Sequence, residues 1–141
     1  MKILVATDGS KPSLNAVKYA AKLAASLSTK DRITLINVHD DAPLRQTSDY
    51  ISDEEIADIL RRTSEKQTAS SLKILDKTNV PHDCAMVTGN ASAEIVKFAN
   101  KGKFDLIVLG GKGRSSFTDL LLGSVAQRVS ATAKQPVLLV K

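Results

Sequence analysis

The run Asp105-Leu-Ile-Val-Leu-Gly-Gly-Lys-Gly113, with Gly123-Ser124 ten residues beyond it, decides how this chain of 141 residues is read. A short apolar run, Leu106–Leu109, stops at a glycine-rich turn, and Ser124 opens a new segment with apolar periodicity. Glycines let backbone N–H groups approach a bulky anion with no Cβ in the way, and they allow positive φ. A helix N-terminus adds unpaired N–H donors and the positive end of a dipole. The two together make a phosphate site. The full spacing, Gly110-x2-Gly113-x9-Gly123-Ser124, is far more specific than any single glycine turn.

Four more apolar runs lie outward from this one: Ile3–Ala6, Ile33–Val38, Cys84–Val87 and Val137–Val140. Most are nearly continuous rather than alternating, as strands are when both faces are covered in a parallel sheet. Amphipathic segments separate them at about 13–28, 52–77, 91–101 and 124–133. Such alternation predicts right-handed βαβ units and an open α/β sheet with helices on both faces. The helix starts carry their own signals. Ser10 precedes Pro12, and Asn90 precedes Ala91 as an N-cap. Ser52-x-x-Glu55 and Ser124-x-x-Gln127 both read as capping boxes. Pro81 and Pro136 each stop a helix just before a strand. The segment Asp40–Ile51 reads as an irregular loop, either a connector or a lid over a ligand.

The run ending at Val87 is the least apolar and suits a sheet edge, while the first run suits the centre. A strand order of 3-2-1-4-5 is compatible with both. In an open α/β sheet the ligand lies at the carboxyl ends of the strands, where the order reverses. That crevice brings Thr7-Asp8-Gly9-Ser10 to face Gly110–Gly113. Asp8 can accept a ribose hydroxyl or help hold Mg2+ beside phosphates, or it can serve as a turn residue bonding the next N–H groups. Lys112 and Arg114 flank Gly113 and either add charge to a phosphate or remain solvated.

Other chemistries find no support. The Walker pattern is absent, and so is G-x-G-x-x-G, since Gly111 and Gly113 are followed by Ser116. No G-x-S-x-G or H-E-x-x-H occurs. His39 and His82 stand alone, as surface or strand-end residues. The net charge is +5, but Lys and Arg are scattered without a basic run or an aromatic platform, so no nucleic-acid partner is expected. The single cysteine, Cys84, excludes an internal disulfide and reads as a small core hydrophobe. With no apolar stretch near ~18 residues and no signal-peptide pattern, no membrane association is expected. The expectation is one cytoplasmic domain over residues 1–141.

Taken together, Ile3-Leu-Val-Ala-Thr-Asp-Gly-Ser10, Phe104–Arg114, Leu122-Gly-Ser-Val-Ala-Gln-Arg-Val129 and Pro136-Val-Leu-Leu-Val140 resemble the universal stress protein family, over the whole chain. The resemblance implies an α/β fold of order 3-2-1-4-5 and a homodimer. It also implies the ATP-binding branch of the family, because members without ATP typically lack the glycine signature. Carried over by position, Thr7 and Asp8 reach the ribose and phosphate side beside Ala6, and Val38 meets adenine through its backbone. Gly110, Gly113, Gly123 and Ser124 hold the phosphates, and Val125 donates its backbone N–H. Gly111, Lys112 and Arg114 complete the implied nucleotide-contacting set, with Mg2+ or Mn2+ as the accompanying metal held by Asp8. Gly111 stands where many relatives carry serine.

The resemblance implies a stress-response regulatory protein that binds ATP. No residue stands out as a general base, so hydrolysis is expected to be slow or absent. Two alternatives stay open at this stage. One is an ATP-hydrolysing enzyme of the adenine nucleotide hydrolase-like group, against which Thr7-Asp-Gly-Ser-Lys11 counts. The other is a nucleotide-free dimeric partner-binding module. The dimer is expected to form through the last strand, Val137–Val140, whose edge carries little charge.

Overall fold

A computed structural model describes residues 1–27, 30–47, 49–112 and 121–141. Its strands are β1 (Lys2–Ala6), β2 (Arg32–His39), β3 (His82–Thr88), β4 (Leu106–Gly110) and β5 (Val137–Val140). Its helices are α1 (Lys11–Leu27), α2 (Ala42–Arg45), α3 (Asp53–Asp76), α4 (Ala91–Lys101) and α5 (Ser124–Thr132). All strand pairings are parallel, as the apolar runs predict, in the order β3-β2-β1-β4-β5 that the resemblance implies. β1 is central: Ile3 lies beside Ile33 on one side and Leu106 on the other.

Helices cover both faces, which is why the strands read as continuous apolar runs. On one face Ile3, Val5, Ile33, Leu35 and Val108 pack against Ala16, Val17, Ala20 and Ala24 of α1 and Leu75 of α3. The alanines at four-residue spacing let α1 lie close on the sheet. On the other face Leu4, Ile36, Ile107 and Leu109 meet Ile95 and Ala99 of α4 and Ala126 and Val129 of α5. Each fully buried Ile, Leu or Val in these layers contributes roughly 1.5–3 kcal/mol.

The capping box of α3 forms as expected: Ser52 Oγ accepts from Glu55 N–H, and Glu55 reaches back to Ser52 N–H. Asn90 caps α4 by accepting from Ala93 N–H. Three expectations need correction. The 40–51 stretch is not wholly irregular, because α2 occupies part of it. Pro43 supplies a preset φ in its first turn, Asp40 accepts from Ala42 N–H, and Arg45 pairs with Asp41 at 2.5 Å. Cys84 is exposed rather than a core residue, because β3 is an edge strand that the helices cover only in part. Partial burial first, then the charge of Asp83, pushes its thiol pKa up against the opposing hydrogen bond with Thr68, which keeps the thiol protonated. The supposed capping box Ser124-x-x-Gln127 does not form, for reasons that belong to the site below.

His82, at the start of β3, yields a pH prediction. Its ring is held between the Val80 carbonyl, 2.8 Å from Nδ1, and the Asp76 carboxylate, 2.9 Å from Nε2. The Val80 carbonyl first, then Asp76, raises its pKa above 6.5 against the opposing effect of burial. An imidazolium donates to both acceptors, so the folded state favours the charged form. The contribution is therefore fully present below the unfolded pKa and is lost as pH rises through the folded one. Urea denaturation at pH 5.5 and pH 8.5 should show the protein more stable at the lower pH with respect to this group. His82→Gln should flatten that difference, and an unchanged difference would rule the histidine out as its source.

Candidate functional site

A crevice opens at the carboxyl ends of β1 and β4, where the strand order reverses. The described residues enclose about 250 Å3 there, just below the roughly 300–1,000 Å3 usual for small-ligand pockets. Ala6, Thr7 and Asp8 reach it from the end of β1, and Val38 from the end of β2. Gly110 and Lys112 reach it from the glycine turn, and Gly123, Ser124 and Val125 from the start of α5. Gly111 does not line it. Gly113 and Arg114 lie outside the described residues.

The crevice also contains residues that no motif marked. Ile36 and Leu109 form an apolar floor, Ser13 and Ala126 come from α1 and α5, and Ala91 and Ile95 come from the start of α4. The α4 pair lay in the sequence as the first turn after Thr88-Gly89-Asn90. Only the crossover that lays α4 over the sheet brings it opposite β1. The result is an apolar slot at one end and a backbone-rich turn at the other.

The two described glycines of the turn differ in purpose. A Cβ on Gly110 would stand 2.7 Å from the Pro12 carbonyl carbon and 2.9 Å from its oxygen, so Gly110 exists to let α1 approach the strand end. A Cβ on Gly111 would meet only Leu122 Cδ1 at 3.6 Å and the Val140 carbonyl O at 3.7 Å, ordinary contacts. Among the described glycines positive φ belongs to Gly9 and Gly89 and not to these two, so close approach rather than left-handed backbone explains Gly110. Gly111 is a clip. Its N–H donates to the Val140 carbonyl at 2.8 Å, and its carbonyl accepts from Gly123 N–H at 2.9 Å, which ties the turn to β5 and to the start of α5.

Gly123 is the N-cap of α5, with extended backbone at φ −61 and ψ 150, and no side chain caps that helix. Ser124 is thus the first helical residue, one position too late for its hydroxyl to act as the cap, and the box expected with Gln127 is absent. α3 and α4 satisfy their first amides with Ser52 and Asn90. The N-cap of α5 offers its first amides no side-chain acceptor, and its first residues, Ser124, Val125 and Ala126, line the crevice.

Asp8 and Thr7 divide their work. Asp8 Oδ1 accepts from Ser10 N–H at 2.9 Å, the turn role considered for it, while the residue also faces the crevice. Thr7 lines the crevice too, but its hydroxyl turns to the α1–α3 layer, 3.3 Å from Ser13 Oγ and 3.0 Å from Ser71 Oγ. Among the described residues no group of three or more His, Cys, Asp or Glu side chains could hold a metal by itself. In the same residues no helix is long and apolar enough to cross a membrane.

Comparison with known proteins gives this geometry a context. The model of the universal stress protein family matches residues 1–141. Universal stress protein MJ0531 of Methanocaldococcus jannaschii is 36% identical over 140 residues, covering 99% of this chain and 81% of the relative. The solved structure of protein MJ0577 superposes with a TM-score of 0.86 at 27% identity, covering 99% of this chain and 94% of that one. A universal stress protein solved in complex with cAMP superposes with a TM-score of 0.63 at 27% identity, covering 99% of this chain and 95% of that one.

Proposed function

The chain belongs to the universal stress protein family, and from that premise we propose that it is a regulatory protein that binds ATP in the crevice between β1, β4 and α5. The observation that carries this reading is the convergence of an apolar slot with a phosphate-suited end. Ile36, Val38 and Ile95 suit the flat apolar faces of a purine. The uncapped start of α5 and the backbone around Gly110 suit phosphate oxygens. Gly113 and Arg114 extend the same phosphate contacts in this reading. The cAMP complex of a relative supports the adenine nucleotide class. Mg2+ or Mn2+ fits as a companion ion, because such ions are held by one or two carboxylates together with the phosphates, and Asp8 supplies a carboxylate at the crevice. Among the described residues that line the crevice Asp8 is the only carboxylate and no histidine occurs, so in this reading the protein holds ATP rather than turning it over rapidly. A cytoplasmic location and a homodimer through β5 belong to the same proposal.

Mass spectrometry of the freshly purified, denatured protein should release an adenine nucleotide, and calorimetric titration of the emptied protein with ATP and Mg2+ should saturate. Neither nucleotide nor titratable binding would defeat the proposal. Rapid steady ATP turnover would replace it with the hydrolase reading. Asp8→Ala should weaken ATP at least about tenfold, or ~1.4 kcal/mol. The apo protein should lose only about 1 kcal/mol of stability, the worth of the Ser10 N–H bond. A large fall in melting temperature with unchanged affinity would make Asp8 a turn residue alone.

A further inference from the structure

Beneath the crevice, on the α1–α3 face of the sheet, polar side chains replace the apolar core. Asn37 of β2 and Ser71 of α3 are 0% exposed, and Thr7 is 4% exposed. β1 ends at Ala6, so the strand ladder stops there. The Thr7 N–H still donates to the Ile36 carbonyl at 3.0 Å. The Thr7 carbonyl takes the Asn37 side-chain amide instead of a strand partner, at 2.7 Å. The same Asn37 nitrogen donates to Gln67 Oε1 of α3 at 3.1 Å, and Asn37 Oδ1 lies 2.5 Å from His39 Nε2. Both functional atoms of the Asn37 amide are therefore engaged, which leaves it one orientation. The Thr7 hydroxyl meets Ser71 Oγ and accepts from Gly9 N–H at 3.4 Å. Past Thr7 the chain must turn sharply, with Gly9 at φ 79 and Asp8 bonding Ser10 N–H. The plane of the Thr7–Asp8 peptide sets where Asp8 stands, and Asn37 holds that plane.

We propose that Asn37 is a positioning residue for the Thr7–Ser10 turn and, with Gln67 and Ser71, fastens that turn to α3, so that nucleotide occupancy and the order of α3 rise and fall together. The positioning stands on the hydrogen bonds alone, and the link to occupancy rests on the nucleotide reading above. Coupling of this kind is reciprocal: if ATP steadies α3, loosening α3 weakens ATP by the same factor. A buried network with every member satisfied has one arrangement, and removing one donor leaves a buried carbonyl without a partner.

The test is Asn37→Leu, which keeps the side-chain bulk and removes both donated bonds, with Gln67→Leu and Ser71→Ala as milder cuts. In the ligand-free protein, hydrogen exchange of the Ser10 amide should quicken at least about tenfold in Asn37→Leu, the scale of one lost buried hydrogen bond. The Ala93 amide, bonded to Asn90 at the start of α4, should not change. A general loss of stability would quicken both alike and would overturn the proposal, as would an unchanged Ser10 amide in a folded variant. ATP should bind at least about tenfold more weakly to Asn37→Leu. ATP should also slow amide exchange around Ser71 in the unmodified protein and not in the variant; unchanged affinity, or equal slowing in both, removes the coupling. If Asn37→Leu does not fold, the same readouts on Gln67→Leu and Ser71→Ala should shift by about threefold, and no shift in either counts against the proposal. If the unmodified protein binds no ATP, the nucleotide reading fails, while exchange at Ser10 still decides the positioning role.

Discussion

Replacing Gly110 by valine is expected to lower the melting temperature by about 3–10 °C, from an overpacking cost of roughly 1–3 kcal/mol, and to remove measurable ATP binding. The physical cause is backbone against backbone. The new Cβ would fall 2.7 Å from the Pro12 carbonyl carbon, 2.9 Å from its Cβ and 2.9 Å from its oxygen. None of those atoms is the end of a flexible side chain, so the first turn of α1 must move. That turn begins at Ser10, which caps α1 through the Leu14 N–H bond to its carbonyl and whose own N–H is bound by Asp8. Displacing it therefore displaces Asp8 and narrows the crevice from the α1 side. Gly111→Ala is the control. Its Cβ would meet nothing nearer than 3.6 Å, so its stability should stay within about 0.5 kcal/mol of the unmodified protein. Differential scanning calorimetry with a parallel ATP titration reads both effects. Equal melting of Gly110→Val and Gly111→Ala would sink the close-approach account.

Leu138→Pro and Leu139→Pro should part company sharply. β5 is a sheet edge, paired on one side only. The Ile107 N–H donates to the Pro136 carbonyl, and the Gly111 N–H donates to the Val140 carbonyl. In a parallel ladder the groups that face a given neighbour alternate, so the even-numbered residues of β5 face β4. Leu138 therefore points its N–H inward, and Leu139 points its N–H away from the sheet. Leu138→Pro removes an internal ladder bond and forces a ring against β4, which should cost about 3 kcal/mol or more and unfold a large share of the protein on mild heating. Leu139→Pro keeps the ladder and removes an outward donor. If the proposed homodimer pairs β5 with its copy, this variant should retain its circular dichroism and fall to a mass near 15.1 kDa in light scattering. Leu139→Ala separates the lost donor from the lost side chain, which packs on the α4–α5 face; it should stay dimeric. A dimeric Leu139→Pro would show that the copies meet elsewhere, and a monomeric unmodified protein would remove the dimer altogether.

Much of the fold was legible because burial on both faces forces a local pattern. Ile3–Val5 and Leu106–Leu109 are apolar without alternation, and Ile33–Ile36 is so but for Thr34, because helices lie above and below them. Ser52 and Asn90 announced their helices because a cap depends on residues within one turn. The errors came where the deciding neighbour is distant in sequence. Cys84 sits in an apolar run, yet its strand lies at an edge with little above it. Ser124 has the composition of a cap, yet Gly123 takes that place because its N–H is drawn to the Gly111 carbonyl across the turn.

The same division runs through the candidate site. The chain order of apolar runs determined, without coordinates, an open α/β sheet; it was compatible with the order 3-2-1-4-5 that the family resemblance implies, and with that order it placed Asp8 and the turn after β4 at one crevice. Those are consequences of side-chain periodicity and of the single hand that βαβ connections take. Only the tertiary structure decided that Ala91 and Ile95 face that crevice, that Gly110 is needed for Pro12 and Gly111 for none of its neighbours, and that Thr7 spends its hydroxyl beneath the site on Ser71. It also decided which amides of β5 point outward and which buried carbonyl Asn37 holds. Each of these is a contact between elements dozens of residues apart, set by where helices come to rest on the sheet, and no local pattern of residues encodes that distance.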